Sequence, residues 1–220
     1  MRSATAGPTA LPNSLRRAAA WVAAVAAIAV GALGVRYEGL SRSSHTDRVL
    51  DRAVQSSVPD KERLFSLIHY LGNPRSVVVL AGLLAVLAFV LSRRRLAVLA
   101  VLGPGLTGVA TTVLKPVFDR TLGGALAYPS GHTAALTALA IVTALLLVSL
   151  IRVGTVWKAV LVGLAALGAG LAMAVTLTVL DIHYPTDTIG GFGTAVAVVL
   201  AAALVLDRVA EAGRPPALRS

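Results

Sequence analysis

Six long apolar runs divide this chain, at about residues 18–35, 76–92, 96–114, 133–151, 157–180 and 188–206, with polar segments between them. Each is close to the ~20 residues an α-helix needs to cross a hydrocarbon layer of ~30 Å. The pattern predicts an all-α polytopic membrane protein, a bundle of six transmembrane helices, over residues 16–210. Residues 1–15 are rich in Ala, Ser, Thr and Pro without periodicity and read as a disordered cytoplasmic tail; residues 211–220 read as a second cytoplasmic tail. The longest polar segment, 37–74, mixes charges with Ser41, Ser43 and Ser44 and contains one amphipathic piece, Lys61 to Tyr70. It reads as an extracytoplasmic, interfacial layer over one face of the bundle. Arg16 and Arg17 before an Ala-rich run also suit a signal peptide, but the run is long for one and lacks a clean small-residue cleavage site.

Composition narrows the class. With 56% hydrophobic and 14% charged residues and a mean hydropathy of +0.81, the chain is too apolar for a soluble domain of 220 residues. There is no cysteine, so disulfides and thiolate metal sites are excluded, and the four histidines are too scattered for a structural zinc site. The net charge of +10 does not indicate nucleic acid, because the basic residues lie in short segments between apolar runs and form no basic helix. They report orientation instead. On alternating sides, one face receives eleven Lys and Arg with two acidic residues, and the other receives nine with eight. By the positive-inside rule both termini are cytoplasmic, in the cell membrane, and the second face is extracytoplasmic. Gly103, Gly105 and Gly108 in the third run and Gly163, Gly168 and Gly170 in the fifth read as sites of close helix packing.

Two segments on that second face carry chemistry: Pro129-Ser130-Gly131-His132 before the fourth run, and His183-Tyr184-Pro185-Thr186-Asp187 before the sixth. A histidine with an acid four residues later can be oriented as a nucleophile, and a second histidine can protonate a departing oxygen. Phosphoryl transfer fits best, since it needs a nucleophile, a leaving-group acid, and cations or N–H donors around the phosphoryl oxygens. His183 and Asp187 supply the first, His132 the second, and Lys115, Arg120 and the amides of Ser130 and Gly131 at a helix start supply the third. No carboxylate cluster suits magnesium, so neither metal nor cofactor is expected. His45 and His69 have no partner motif and read as ordinary interfacial residues.

Lys115 at the end of the third helix, Pro-Ser-Gly-His at the start of the fourth and His-x3-Asp at the start of the sixth resemble the type 2 phosphatidic acid phosphatase (PAP2) family in order and helix position. The resemblance covers about residues 76–206. It implies that His183 becomes a phosphohistidine, that Asp187 orients it, that His132 protonates the leaving alkoxide, and that Lys115 holds the phosphate. It implies a metal-independent phosphatase acting on a lipid or polyprenyl phosphate or pyrophosphate at the outer leaflet, with the bilayer and a lipid phosphate as partners. Phosphotransfer to an alcohol and non-catalytic lipid-phosphate binding are the alternatives. Two positions depart from the family. Leu122-Gly123 stands where the first motif has arginine-proline, and Leu177 where the third has an arginine. Arg120 is the nearest substitute, and Arg36, Arg63 and Arg75 in the outer segment are further candidates.

Overall fold

The computed structural model describes residues 8–58 and 62–213. Along the chain run α1 (Arg16–Tyr37), α2 (His45–Ser57), α3 (Glu62–Leu71), α4 (Pro74–Val90), α5 (Arg94–Phe118), a hairpin of β1 (Thr121–Leu122) and β2 (Ala125–Leu126), α6 (Gly131–Leu150), α7 (Thr155–Val179) and α8 (Pro185–Ala212). The six apolar runs fold as α1, α4, α5, α6, α7 and α8. Among the described residues, five of these are long and apolar enough to cross a membrane alone, while α4 qualifies together with Leu64–Leu71 of α3 across a 65° bend. The chain is a multi-pass helical membrane protein. The bend has a local cause: Asn73 caps α4 by accepting from the Arg75 N–H, and Pro74 stands at the first helical position, where its missing donor costs nothing.

Helix α8 sits at the centre, packed on α1, α5, α6 and α7. Small residues let the backbones approach, with Ala134, Ala138, Ala195, Ala203 and Ala100 all buried at their contacts. Ile28, Val78 and Val90, by contrast, are each 72% exposed, the outward apolar surface that lipid requires. Gly103 packs on Val142 and Val199 and Gly170 on Phe192, as close-packing glycines should. Gly105, Gly108, Gly163 and Gly168 do not: a side chain there would meet nothing within 4 Å.

The polar segments are more ordered than their pattern suggests. The amphipathic piece forms α3, its Lys61 lying outside the described residues, and α2 is an additional helix started by a reciprocal cap between Ser44 and Asp47. At the opposite end, Asp207 accepts from the N–H groups of Ala10 and Leu11 and pairs with Arg16 and Arg95. Residues 10–15, expected to belong to a disordered tail, are therefore held against the bundle: a buried carboxylate needs donors, and the chain before α1 provides two. Of the two expected tails, residues 1–7 and 214–220 lie outside the described residues.

Candidate active site

Everything singled out for chemistry gathers at the end of the bundle formed by the last turn of α5 and the first turns of α6 and α8. Ser130 caps α6, its Oγ accepting from the Thr133 N–H at 3.4 Å, which makes Gly131 and His132 the first two helical residues. Their amides have no partner within the helix and lie at the positive end of its dipole. The loop before them is pinned by Tyr128, which donates to the Val30 carbonyl at 2.6 Å and meets Phe118 edge-on at 5.4 Å. Burial raises the Tyr128 phenol well above its ordinary pKa, with the Asp187 charge adding to the effect, so it stays a donor. Two glycines on α8 admit this loop: a methyl group at Gly190 would strike the Tyr128 ring, and one at Gly191 the Ser130 carbonyl.

His183 lies in the turn before α8, 9% exposed, with Nδ1 3.5 Å from Asp187 Oδ2. Asp187 is fully buried in the first turn of α8, and its Oδ2 accepts from the Tyr184 N–H at 3.2 Å. Lys115, one turn from the end of α5, donates to the Leu126 carbonyl at 2.8 Å. Lys115, Gly131, His132 and His183 line one cavity of about 750 Å³. Below them it continues as an apolar groove between Val77, Ala81 and Gly82 of α4 and Val101, Gly105 and Gly108 of α5. From Val101 to Lys115 the groove follows roughly 21 Å of helix. Gly105 and Gly108, read from sequence as packing positions, are open because they form its floor.

Three expected phosphate ligands are placed differently from one another. Gly131 faces the cavity. Ser130 does not contribute its amide, because that N–H donates to the Asp187 carbonyl at 3.0 Å and the side chain is fully buried. The amides at the cavity are those of Gly131 and His132. Arg120 is also fully buried and is not among the cavity residues. Its Nη1 lies 2.7 Å from Asp187 Oδ1 and 2.6 Å from Thr186 Oγ1, its Nη2 2.6 Å from Asp47 Oδ2, and the rings of Tyr37 and Tyr184 enclose it at 4.6 and 4.5 Å. A cation engaged by two carboxylates has little left for a phosphate, and Arg120, expected from the sequence as a substrate ligand, does not line the cavity. Arg36 and Arg75 are exposed and do not line the cavity, and the Arg63 side chain lies outside the described residues.

The two departures acquire structure. Leu122-Gly123 begins a tight hairpin, with Gly123 and Gly124 at φ of +57° and +84°, and that hairpin carries the Leu126 carbonyl to Lys115. Leu177 is fully buried within α7. Two residues at the site escaped the sequence reading. His69 of α3 stacks on His132, ring centroids 4.6 Å apart at 28°, and only the bend before α4 brings it there; a Cβ at Gly72 in that bend would come within 3.2 Å of His132 and 2.5 Å of the Met173 methyl group. Asp47 is buried beneath α2, where burial would raise its carboxyl but hydrogen bonds from Ser44 and Thr186 outweigh it and hold it below its ordinary value. In the sequence, the Ser44-x-x-Asp47 spacing is a helix-start signal and carries no sign of a link to the site.

These features define a polytopic helical membrane protein whose histidines, lysine and helix-terminal amides meet at one end of the bundle, above a lipid-facing groove. The chain belongs to the PAP2 superfamily, whose family model matches residues 62–210. Comparison with curated proteins gives no match. Among solved structures it is similar in fold to the first transmembrane PAP2-type phosphatidylglycerolphosphate phosphatase from Bacillus subtilis, at 16% identity and a TM-score of 0.66, over 89% of this chain and 99% of that one. Family and fold together support a membrane lipid phosphatase in general terms.

Proposed function

We propose that this protein hydrolyses a phosphomonoester or pyrophosphate of a lipid or polyprenyl carrier at the outer leaflet of the cell membrane, with both termini cytoplasmic. The observation that carries the reading is that Lys115, Gly131, His132 and His183 share one cavity whose floor is an apolar groove open between α4 and α5. The phosphate meets the polar head of that cavity while its chain lies in the groove. The site of a PAP2 superfamily member supplies the same reading. Because His183 Nδ1 faces Asp187, Nε2 is the nitrogen left to attack phosphorus. The P–O bond to the leaving group breaks, His132 gives its proton to the departing alkoxide of a phosphomonoester or the departing lipid phosphate of a pyrophosphate, and Lys115 with the amides of Gly131 and His132 holds the equatorial oxygens. Water then attacks the phosphohistidine, giving a proton back to His132 as the new P–O bond forms and the P–N bond breaks, which releases inorganic phosphate and restores both histidines. In this reading the charge on the phosphoryl group is neutralised by Lys115 and backbone amides.

The test is phosphate release by the purified protein from long-chain phosphatidate, phosphatidylglycerolphosphate and a polyprenyl pyrophosphate, with EDTA present. Turnover of at least one, abolished by His183→Ala in a variant that still elutes and melts as the folded protein, is the expected result. Release that persists in His183→Ala, or that needs an added divalent ion, would refute the mechanism.

A further inference from the structure

Arg120 sets an electrostatic problem for Asp187. With Nη1 2.7 Å from Asp187 Oδ1, the two alone form a neutral pair, and Asp187 would present little net charge to His183. A second carboxylate changes this. Asp47 Oδ2 lies 2.6 Å from Arg120 Nη2, and the side chains of Asp47, Arg120 and Asp187 are 1%, 0% and 0% exposed. One guanidinium between two carboxylates leaves the buried unit with a net negative charge. Asp47 is itself firmly held: its oxygens accept from the Ser44 N–H at 2.9 Å, the Ser44 hydroxyl at 2.7 Å, the Thr186 N–H at 3.1 Å and the Thr186 hydroxyl at 2.6 Å. The contacts to Ser44 would suffice to cap α2. Those to Thr186 and Arg120 cross to the first turn of α8, beside Asp187.

Resting on the phosphohistidine reading above, we infer that Asp47 is a positioning residue for that reaction: from α2 it shares the charge of Arg120, so that Asp187 retains the negative charge that orients His183 for attack and stabilises it once phosphorylated. Asp47 lies outside the stretch matched by the family model, so this link joins the outer helix layer to the matched core.

The experiment compares the full-length wild type with Asp47→Asn, Asp47→Glu, Gln55→Ala and His183→Ala on one lipid phosphate, recording kcat, KM and melting temperature in detergent. Asparagine keeps the size of Asp47 but not its charge, and only one of its two terminal atoms can still accept a hydrogen bond. It should lower kcat by about 10- to 100-fold with KM within about twofold, and glutamate should recover at least half of that loss on a logarithmic scale. Gln55, which ties α2 to α7 through the Thr178 carbonyl at 3.2 Å, is the control for loosened docking, and Gln55→Ala should lower the melting temperature while leaving kcat unchanged. An unaltered kcat in Asp47→Asn overturns the proposal, and so does an equal loss in Gln55→Ala. If Asp47→Asn does not fold, Asp47→Glu decides: kcat within about tenfold of wild type supports the charge role, and a larger loss rejects it. Absence of turnover in the wild type overturns the phosphatase reading and this inference with it, whereas turnover abolished by His183→Ala and untouched by Asp47→Asn overturns this inference alone.

Discussion

Arg120 illustrates how surroundings, not residue type, decide what a cation does. Its terminal nitrogens are engaged by Asp47, Asp187 and Thr186 inside a shell closed by Tyr37 and Tyr184, so in the proposed reaction it bears on the site through Asp187 and not on the phosphate. Removing it strands two buried carboxylates, and breaking such a pair costs about 3 to 5 kcal/mol. Arg120→Ala should therefore show a lower denaturation midpoint in detergent together with a fall in kcat, while KM stays near the wild-type value. A rise in KM with unchanged kcat and stability would return Arg120 to the role of substrate ligand. The spacing of Lys115, His132, His183 and Asp187 was legible along the chain because each of these residues ends or starts a helix at a recognisable motif. The environment of Arg120 was not, since it depends on a carboxylate 73 residues away on a helix that no apolar run announces.

Between helices, the division of labour among glycines follows from which neighbour each one faces. Gly103 lies against Val142 and Val199 and serves packing, whereas Gly105 and Gly108, two and five residues further along α5, leave space that α4 does not fill. One helical run thus seals the bundle on one side and opens it on the other, which a list of small residues does not reveal. The groove gives a selective prediction. A leucine at Gly108 has room to form and would occupy the floor beneath Lys115, displacing several methylenes of a bound chain at ~0.8 kcal/mol each. Gly108→Leu should lower kcat/KM for a dihexadecanoyl phosphatidate by about tenfold or more and leave a dihexanoyl one within about twofold. Equal effects on both chain lengths would mean that the groove does not hold the lipid tail. The bent pair α3 and α4 is the other feature sequence periodicity could not supply, because the 65° turn that carries His69 onto His132 resides in Gly72, Asn73 and Pro74 and not in any apolar repeat.

The whole chain reads as two ends joined by a lipid-facing belt. Six apolar runs were enough to predict six spans, and the crossings between them place Arg16, Arg95 and Asp207, an even number apart, at one end with His132 and His183, an odd number away, at the other. What the runs could not show is that α2 and α3 pack against the site's residues, α2 through the ion pair of Asp47 with Arg120 and α3 through the stack of His69 on His132. The central claim is that the phosphoryl group passes through His183. Rapid quenching into alkali, which preserves phosphohistidine, after mixing the purified protein with a lipid phosphate labelled with ³²P measures it most directly. The account predicts label on the wild-type chain that is stable in alkali, lost in acid and absent from His183→Ala. Turnover by the wild type with no trappable label, or label that survives in His183→Ala, would contradict it.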